Sequence, residues 1–176
     1  MKQLLFCIFL LLLGGCSSNQ PPAVSGQIDE LPAIYPDYTG VTVPQSIAPL
    51  NFAVRTEGKT CAVFTTEGYT FTIYASDRAF SIPNADWNKL LIAAKGKQVE
   101  ISVLTEKKGK WKAFLPFHIR VSEDPVDPYI AYRLIDPGYQ LWNEMGIYQR
   151  KLASFDQEPI LENRLTDNNC INCHSF

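Results

Sequence analysis

Hydrophobic and polar residues alternate along three stretches in the middle of the chain, at residues 50–54, 69–74 and 99–104. Alternation with a period of two is typical of strands that bury one face. The positions predicted to face inward are Phe71 and Ile73 in the second stretch and Val99, Ile101 and Val103 in the third. The middle of the chain is therefore predicted to be a β-rich domain.

A charged turn and a returning strand follow the third stretch. Residues 107–110 read Lys-Lys-Gly-Lys, and residues 111–121 are predicted to return as one strand. Residues 86–95 form the predicted helix of this region, ended by Gly96. The bulky side chains expected in its core are Trp87, Trp111, Phe114 and Phe117.

Several short strands in this small region predict a sandwich of antiparallel strands. Residues 124–176 follow a Pro-rich break and contain two aromatic segments, 129–135 and 140–150. The second segment is interpreted as either a short helix or an extended connector, and residues 156–169 are mostly polar. The predicted fold class is mainly β, with a small antiparallel β-sandwich-like domain at residues 50–123 and an extended or irregular C-terminal arm at residues 124–176.

The N-terminus has the form of an export signal. Lys2 precedes an apolar run at residues 4–13, and Leu13-Gly-Gly-Cys16 closes the segment. This ending resembles a bacterial lipobox, in which the cysteine is acylated and becomes the new N-terminus. Residues 1–15 are therefore predicted to be a lipoprotein signal peptide that anchors the chain to membrane lipid through Cys16. The alternative is a simple hydrophobic anchor in which Cys16 is incidental.

Prolines are frequent in the next segment, residues 16–49, which is predicted to be a tether. Its second half carries apolar residues and is expected to lie along the domain surface. Of the 16 basic residues, Lys2 alone belongs to segment 1–15, so 15 remain against 18 acidic residues. This near-neutral balance gives no electrostatic reason to expect a nucleic-acid partner.

The last seven residues carry the chemistry of the chain. Cys170-Ile-Asn-Cys173-His174 matches C-x-x-C-H, the attachment signature of a c-type haem. The thiols of Cys170 and Cys173 are predicted to bond covalently to the haem, and His174 is predicted to be the proximal iron ligand. Cys61, in an apolar run, is expected to be a buried small hydrophobe.

Other interpretations of the motif are weaker. A thioredoxin-like redox pair needs a helix N-terminus directly after a strand, and a structural zinc site needs four ligands, for which His118 and Cys61 are the further candidates. His118 and Met145 are also the candidates for a sixth haem ligand. Because only two residues follow His174, any attached haem is expected to be solvent-exposed and five-coordinate or weakly ligated.

Residues 132–139, 142–150 and 170–176 are similar to the N-terminal part of a family of Gram-negative lipoproteins. In that family a lipobox, a small β-domain and a c-haem motif precede a TolB-like β-propeller of PD40-type repeats. The resemblance begins at about residue 47, and the propeller is absent from this chain. It implies a cell-envelope lipoprotein facing the periplasm, and the outer membrane is the expected site.

The expected function is that of a membrane-anchored, c-type cytochrome-like lipoprotein, or the N-terminal fragment of one, with a role in electron transfer rather than enzymatic catalysis. Its expected partners are membrane lipid and a redox or envelope protein. The alternative is a non-enzymatic envelope module, in which the β-domain binds a protein or glycan and the haem is secondary or absent.

Overall fold

The computed structural model describes residues 20–135, 145–168 and 171. The strands and helices follow one another in this order: β1 (Val24–Ile28), β2 (Ile34–Tyr35), β3 (Thr42–Val43), β4 (Phe52–Val54), β5 (Lys59–Thr66), β6 (Tyr69–Tyr74), β7 (Ala79–Phe80), α1 (Asn84–Ala93), β8 (Gln98–Lys107), β9 (Lys110–Phe114), β10 (Phe117–Val121), β11 (Tyr129–Leu134), β12 (Gly146–Lys151), β13 (Gln157–Glu162) and a 3₁₀ turn (Asn163–Thr166).

Strand β8 is the central strand of the largest sheet. One of its edges pairs with β5, which in turn pairs with β6, and all these pairs are antiparallel. Its other edge pairs antiparallel with β9 near one end and with β10 near the other. Because β9 and β10 oppose β8 residues that also pair with β5, they must lie on the edge opposite to β5.

The strand predicted at residues 111–121 is broken into β9 and β10, which corrects the sequence interpretation. Between the pairs Leu104↔Ala113 and Ile101↔Phe117, β8 advances three residues while the returning chain advances four. The extra residue falls where Pro116 lacks the N–H that a continuous ladder would use. The two strands therefore follow one edge of β8 with a one-residue shift in register.

The segment predicted to be a tether supplies part of the same sheet. β1 pairs parallel with β9, and β3 pairs parallel with β10. Val43 and Ala48 are buried, with 7% and 6% of their surfaces exposed. The predicted boundary between residues 49 and 50 is therefore not a structural one, because the prolines of this segment separate short edge strands instead of preventing them.

One face of the large sheet is covered by α1 and by a small antiparallel sheet of β2, β4 and β7. The core between these layers includes the predicted inward-facing residues Phe71, Ile73, Val99, Ile101 and Val103. Phe52 of β4 meets Phe117 of β10 edge to face, with their ring centroids 6.2 Å apart. The mainly β, sandwich-like fold class is confirmed.

The predicted bulky core residues divide into two groups. Trp87 and Phe117 are buried in this core, and Phe114 packs against it while partly exposed. Trp111 was wrongly assigned to the core. It contacts Tyr74 instead, and it pairs in register with Glu106, one residue away from the inward-facing position Thr105.

Helix α1 begins two residues earlier than predicted and ends before Gly96. The Trp87 N–H donates to the Pro83 carbonyl at 3.0 Å, which makes Pro83 the residue that caps the helix. Gly96 has a φ of +70° and its N–H donates to the Val121 carbonyl, so the chain turns directly into β8. Within the described part of the chain, no helix has the length and apolar character needed to cross a membrane.

The C-terminal arm is extended, as predicted, and β11, β12 and β13 form an antiparallel sheet of their own. Residues 146–150 of the ambiguous aromatic segment belong to the strand β12, which makes that part extended; residues 140–144 lie outside the described residues. The Ala48 N–H donates to the Leu152 carbonyl at 2.6 Å and links this C-terminal sheet to the sandwich.

We predict that Trp87→Ala lowers the free energy of unfolding by about 3–5 kcal/mol, because it empties a fully buried site. It also removes the hydrogen bond from the indole N–H to the Ile47 carbonyl. Ile92→Ala, at a 72% exposed position of the same helix, is the matched control and should change little. Urea unfolding measures both, and equal midpoints for the two variants would contradict this packing.

Candidate functional site

The residues predicted to bind haem and lipid lie outside the described residues. These are Cys16, Cys170, Cys173 and His174. Ile171, between the two cysteines of the motif, is described, and 3% of its surface is exposed. The site is therefore built from Ile171 and from the elements that surround it.

Ile171 belongs to a small apolar cluster on the C-terminal sheet. Its buried members are Met145, Ile147 and Ile171, and Leu161 packs against them while partly exposed; we call this set the Met145 cluster. Ile147 and Leu161 are paired across β12 and β13, so their side chains share one face of the sheet. The C-x-x-C-H motif is thus attached to that face by its first intervening residue.

The chain reverses direction just before the motif. The 3₁₀ turn follows β13, and Asp167 and Asn168 come next, with φ of 55° and 58°. The Asn168 N–H donates to the Asn163 carbonyl at 3.0 Å and closes the turn. Asp and Asn adopt the left-handed region more readily than most residues, so these residue types suit a sharp reversal here.

The opposite face of the C-terminal sheet explains why residue 146 is glycine. A Cβ on Gly146 would come 2.6 Å from Cε2 of Tyr148, because the tyrosine ring lies against the glycine. The Tyr148 hydroxyl donates to Glu162 at 3.1 Å, and its ring stacks with Tyr132 at a centroid distance of 6.5 Å. These contacts fix the start of β12, directly after Met145.

Asn163 supplies a buried donor beside the motif. It is 2% exposed, and its N–H donates to the Met145 carbonyl at 3.2 Å. Its Nδ2 has no hydrogen-bond partner in the described part of the structure. A buried donor left unpaired costs about 1–3 kcal/mol, so a carbonyl or carboxylate oxygen placed against it would stabilise the site.

Leu165, in the 3₁₀ turn that precedes the motif, is exposed to solvent over 71% of its surface. Phe155 and Ile160 are also exposed, but Phe155 lies in the connection between β12 and β13, at the end of the C-terminal sheet away from the Met145 cluster. Leu165 was missed by the sequence analysis, although an apolar residue in a polar run beside the motif is a usable signal. Thiols, an imidazole, a buried amide donor such as that of Asn163 and apolar side chains such as Leu165 are the types of group found at covalent haem sites.

His118 lies on the large sheet, in β10, whose buried residues belong to the core of the sandwich. Its Nε2 is 3.5 Å from a carboxylate oxygen of Glu100, on the neighbouring strand β8, and its side chain is 44% exposed. The imidazole therefore has a local partner in the sheet.

Cys61 is fully buried, as predicted, and burial raises the pKa of its thiol to about 12. β5 and β8 separate Tyr74 from Trp111, and three strand spacings with a two-residue offset put the backbones of these two residues about 16 Å apart. Their ring centroids are nevertheless 6.2 Å apart, so the two rings lean toward each other across β5 and β8. Cys61 and its paired neighbour Leu104 lie in the same register as Tyr74, beneath these rings.

Cys61 and His118 cannot both be ligands of one zinc ion. They lie four residues and two strand spacings apart on the large sheet, about 16 Å, too far to share one ion. Across residues 20–135, 145–168 and 171, no group of three or more His, Cys, Asp or Glu side chains could hold a metal. The redox-pair interpretation gains no support from residues 163–168, which form a 3₁₀ turn and two left-handed residues and not a strand.

Comparison with known proteins adds no relative, because no family model, curated protein or solved structure matches this chain.

We predict that Met145→Ala loosens the attachment of the motif by removing a buried thioether from a small cluster, a loss of about 2 kcal/mol. Amide exchange in the peptide covering residues 157–171 should become about tenfold faster or more, while peptides from β5 and β8 keep their protection. Met145→Leu, which conserves volume, is the matched control. Unchanged exchange in the alanine variant would show that the cluster does not hold Ile171.

Proposed function

We propose that the chain is a membrane-anchored, c-type cytochrome-like lipoprotein of the bacterial periplasm. In this proposal, Cys170 and Cys173 hold a haem through thioether bonds and His174 binds its iron. The observation that carries it is the burial of Ile171 inside the C-x-x-C-H motif, which attaches the motif to a folded sheet. A motif that arose by chance in an unstructured tail would have no reason to pack in this way.

The described residues have distinct parts in this proposal. The Met145 cluster holds the motif, and the turn closed by Asn168 sets the direction from which the chain enters it. The side-chain amide of Asn163, whose Nδ2 has no partner among the described residues, can donate to an acceptor on the haem or on the motif. Leu165 offers apolar surface. When bound, the haem would supply one-electron transfer, and the chain's own residues would set its orientation and its exposure to water.

Each candidate for a second axial ligand has contacts elsewhere in the described residues. Met145 is 3% exposed and packs against Ile171, whereas His118 is paired with Glu100 on the large sheet. The proposal therefore assigns His174 as the axial ligand from this chain. The role proposed for this haem is one-electron transfer to an envelope or redox partner, and a sixth position left open by the chain would also admit a small ligand.

Anchoring to the membrane is the second part of the proposal. Leu13-Gly-Gly-Cys16 follows an apolar segment, and acyl chains on Cys16 would hold the protein to a bilayer. The resemblance of residues 132–139, 142–150 and 170–176 to TolB-like lipoproteins supports the same location, with the outer membrane as the preferred site. A nucleic-acid partner is not proposed, because the chain carries a net charge of −2.

The alternative function is that of an envelope binding module in which the sandwich recognises a protein or glycan. The observation that favours it is an open cleft of about 730 Å³ at one end of the large sheet, lined by charged residues and Tyr74. The two functions can coexist in one chain, because the cleft and the Met145 cluster are made by different strands.

Covalent haem gives the direct test. The full chain, expressed with a haem-attachment system, should give a haem-stained band that survives denaturing electrophoresis. The double variant Cys170→Ser/Cys173→Ser should lose the band, because no thioether can form. Cys61→Ser removes the buried thiol of the sandwich instead, and this variant should keep the haem-stained band. A colourless wild-type band would refute the haem proposal and leave the binding module.

Separating the cells into membrane and soluble fractions, and locating the protein band in each, tests the lipid anchor. Wild type should sediment with membranes, and Cys16→Ala should be released or retain its signal peptide, because acylation of residue 16 is lost. Soluble protein with the same N-terminus in both cases would contradict lipidation without affecting the haem result.

A further inference from the structure

A cleft at one end of the large sheet has features of a binding site that are independent of the haem proposal. It is formed where β5 begins and where β6 and β8 end, and its volume is about 730 Å³. That volume is within the range of about 300–1,000 Å³ of ligand pockets. Its lining includes Tyr74 and charged residues of both signs, among them Lys59, Asp77, Arg78, Glu106 and Lys108.

Backbone strain is concentrated on this cleft. In the described part of the chain, the non-glycine residues with positive φ occur at two places, the cleft and the entry to the C-x-x-C-H motif. The three at the cleft are Asp77, Arg78 and Lys108, with φ of 48°, 64° and 55°. Side chains longer than Asn or Asp have no local compensation for this conformation. Strain retained in this way points to a functional position.

Both strained cations occupy turn positions where other residues would be favoured. Asp77-Arg78 is the two-residue turn between Ser76 and Ala79, and such turns prefer Asp-Gly or Asn-Gly. Lys108-Gly109 is the equivalent turn of the β8–β9 hairpin, where Asn would be favoured at the first position. Each turn therefore contains a residue that is less favourable for its backbone conformation, and this residue is a cation that lines the cleft.

The charges of the cleft are not mutually neutralised. Lys107 pairs with Glu57 at 3.2 Å, and Glu106 accepts a hydrogen bond from the Gly109 N–H at 2.5 Å. The side chains of Lys59, Arg78 and Lys108 make no ion pair with any residue of the described chain. The lining carries four cations against three carboxylates, a net formal charge of +1, and Lys59 lies opposite Glu106 in the β5–β8 register, so an anionic group meets a small excess of cations.

Tyr74 adds a flat apolar surface to this cationic cleft. It is 52% exposed, and its ring is held edge-on by Trp111 at an interplanar angle of 75°. A fixed, half-exposed ring can stack against the face of a sugar, while cations bind a carboxylate or phosphate and Asp77 accepts hydrogen bonds from hydroxyls. An aliphatic anion would leave the ring unused, and a neutral sugar would leave the cations unused.

We propose that this cleft binds an acidic saccharide, with its ring on Tyr74 and its anionic group between Arg78, Lys108 and Lys59. A sugar carboxylate and a sugar phosphate share this chemistry. The probes are three acidic disaccharides: N-acetylglucosaminyl-N-acetylmuramic acid, digalacturonic acid and a doubly phosphorylated glucosamine disaccharide. The neutral comparator is N,N′-diacetylchitobiose, and calorimetric titration of the full chain measures each affinity.

At least one acidic probe should bind at least tenfold more tightly than the neutral comparator, because charge-assisted hydrogen bonds are stronger than neutral ones. The probe that binds best shows whether the natural anion is a carboxylate or a phosphate. Equal affinities for acidic and neutral probes, or no binding of any acidic probe up to millimolar concentration, would overturn the proposal.

Two substitutions separate binding from folding. Arg78→Gly and Lys108→Asn restore the favoured turn residues, so each should keep or raise the midpoint of thermal unfolding. Each should also lower the affinity for the best-binding probe about tenfold or more, because a cation is lost. Tyr74→Ala should lower the affinity for this probe as well. Lys89 is exposed on α1, so Lys89→Ala is the control that should bind the probe as wild type does. Wild-type affinity in Arg78→Gly and Lys108→Asn, or a lower midpoint in both, would overturn the proposal.

Discussion

The pairing of β8 along both of its edges is the constraint on which the rest of the structure depends. Its register with β5 on one side and with β9 and β10 on the other places Val99, Ile101 and Val103 in the core, each 3% exposed or less. A slip of one residue would turn these side chains to the other face. The fixed register also brings Tyr74 and Trp111 together and places the cleft at the end of the sheet.

The C-terminal sheet depends much less on this core. Its contact with the sandwich includes the hydrogen bond from Ala48 to Leu152, and its own apolar cluster has few members. The position of the C-x-x-C-H motif consequently rests on Ile171, Met145 and the turn closed by Asn168. A site attached in this way can be altered by single substitutions that leave the sandwich intact.

The sequence predicted the features that follow from local pattern and missed those that need tertiary information. Alternation identified β6 and the core face of β8, and the burial of Cys61 followed from its apolar neighbours. The prolines of residues 16–49 suggested a tether, because parallel pairing of short edge strands with β9 and β10 leaves no local signal. The burial of Ile171 against Met145 was equally invisible, since 25 residues separate them along the chain.

The most direct measurement is the absorption spectrum of the reduced, haem-loaded chain before and after addition of carbon monoxide. Met145 is buried against Ile171 and His118 is paired with Glu100, so we expect His174 alone to bind the iron strongly from this chain. Carbon monoxide should then bind and shift the spectrum. A sharp low-spin spectrum that carbon monoxide does not change would show a second strong ligand and contradict the assignment of His118 and Met145 to structural roles.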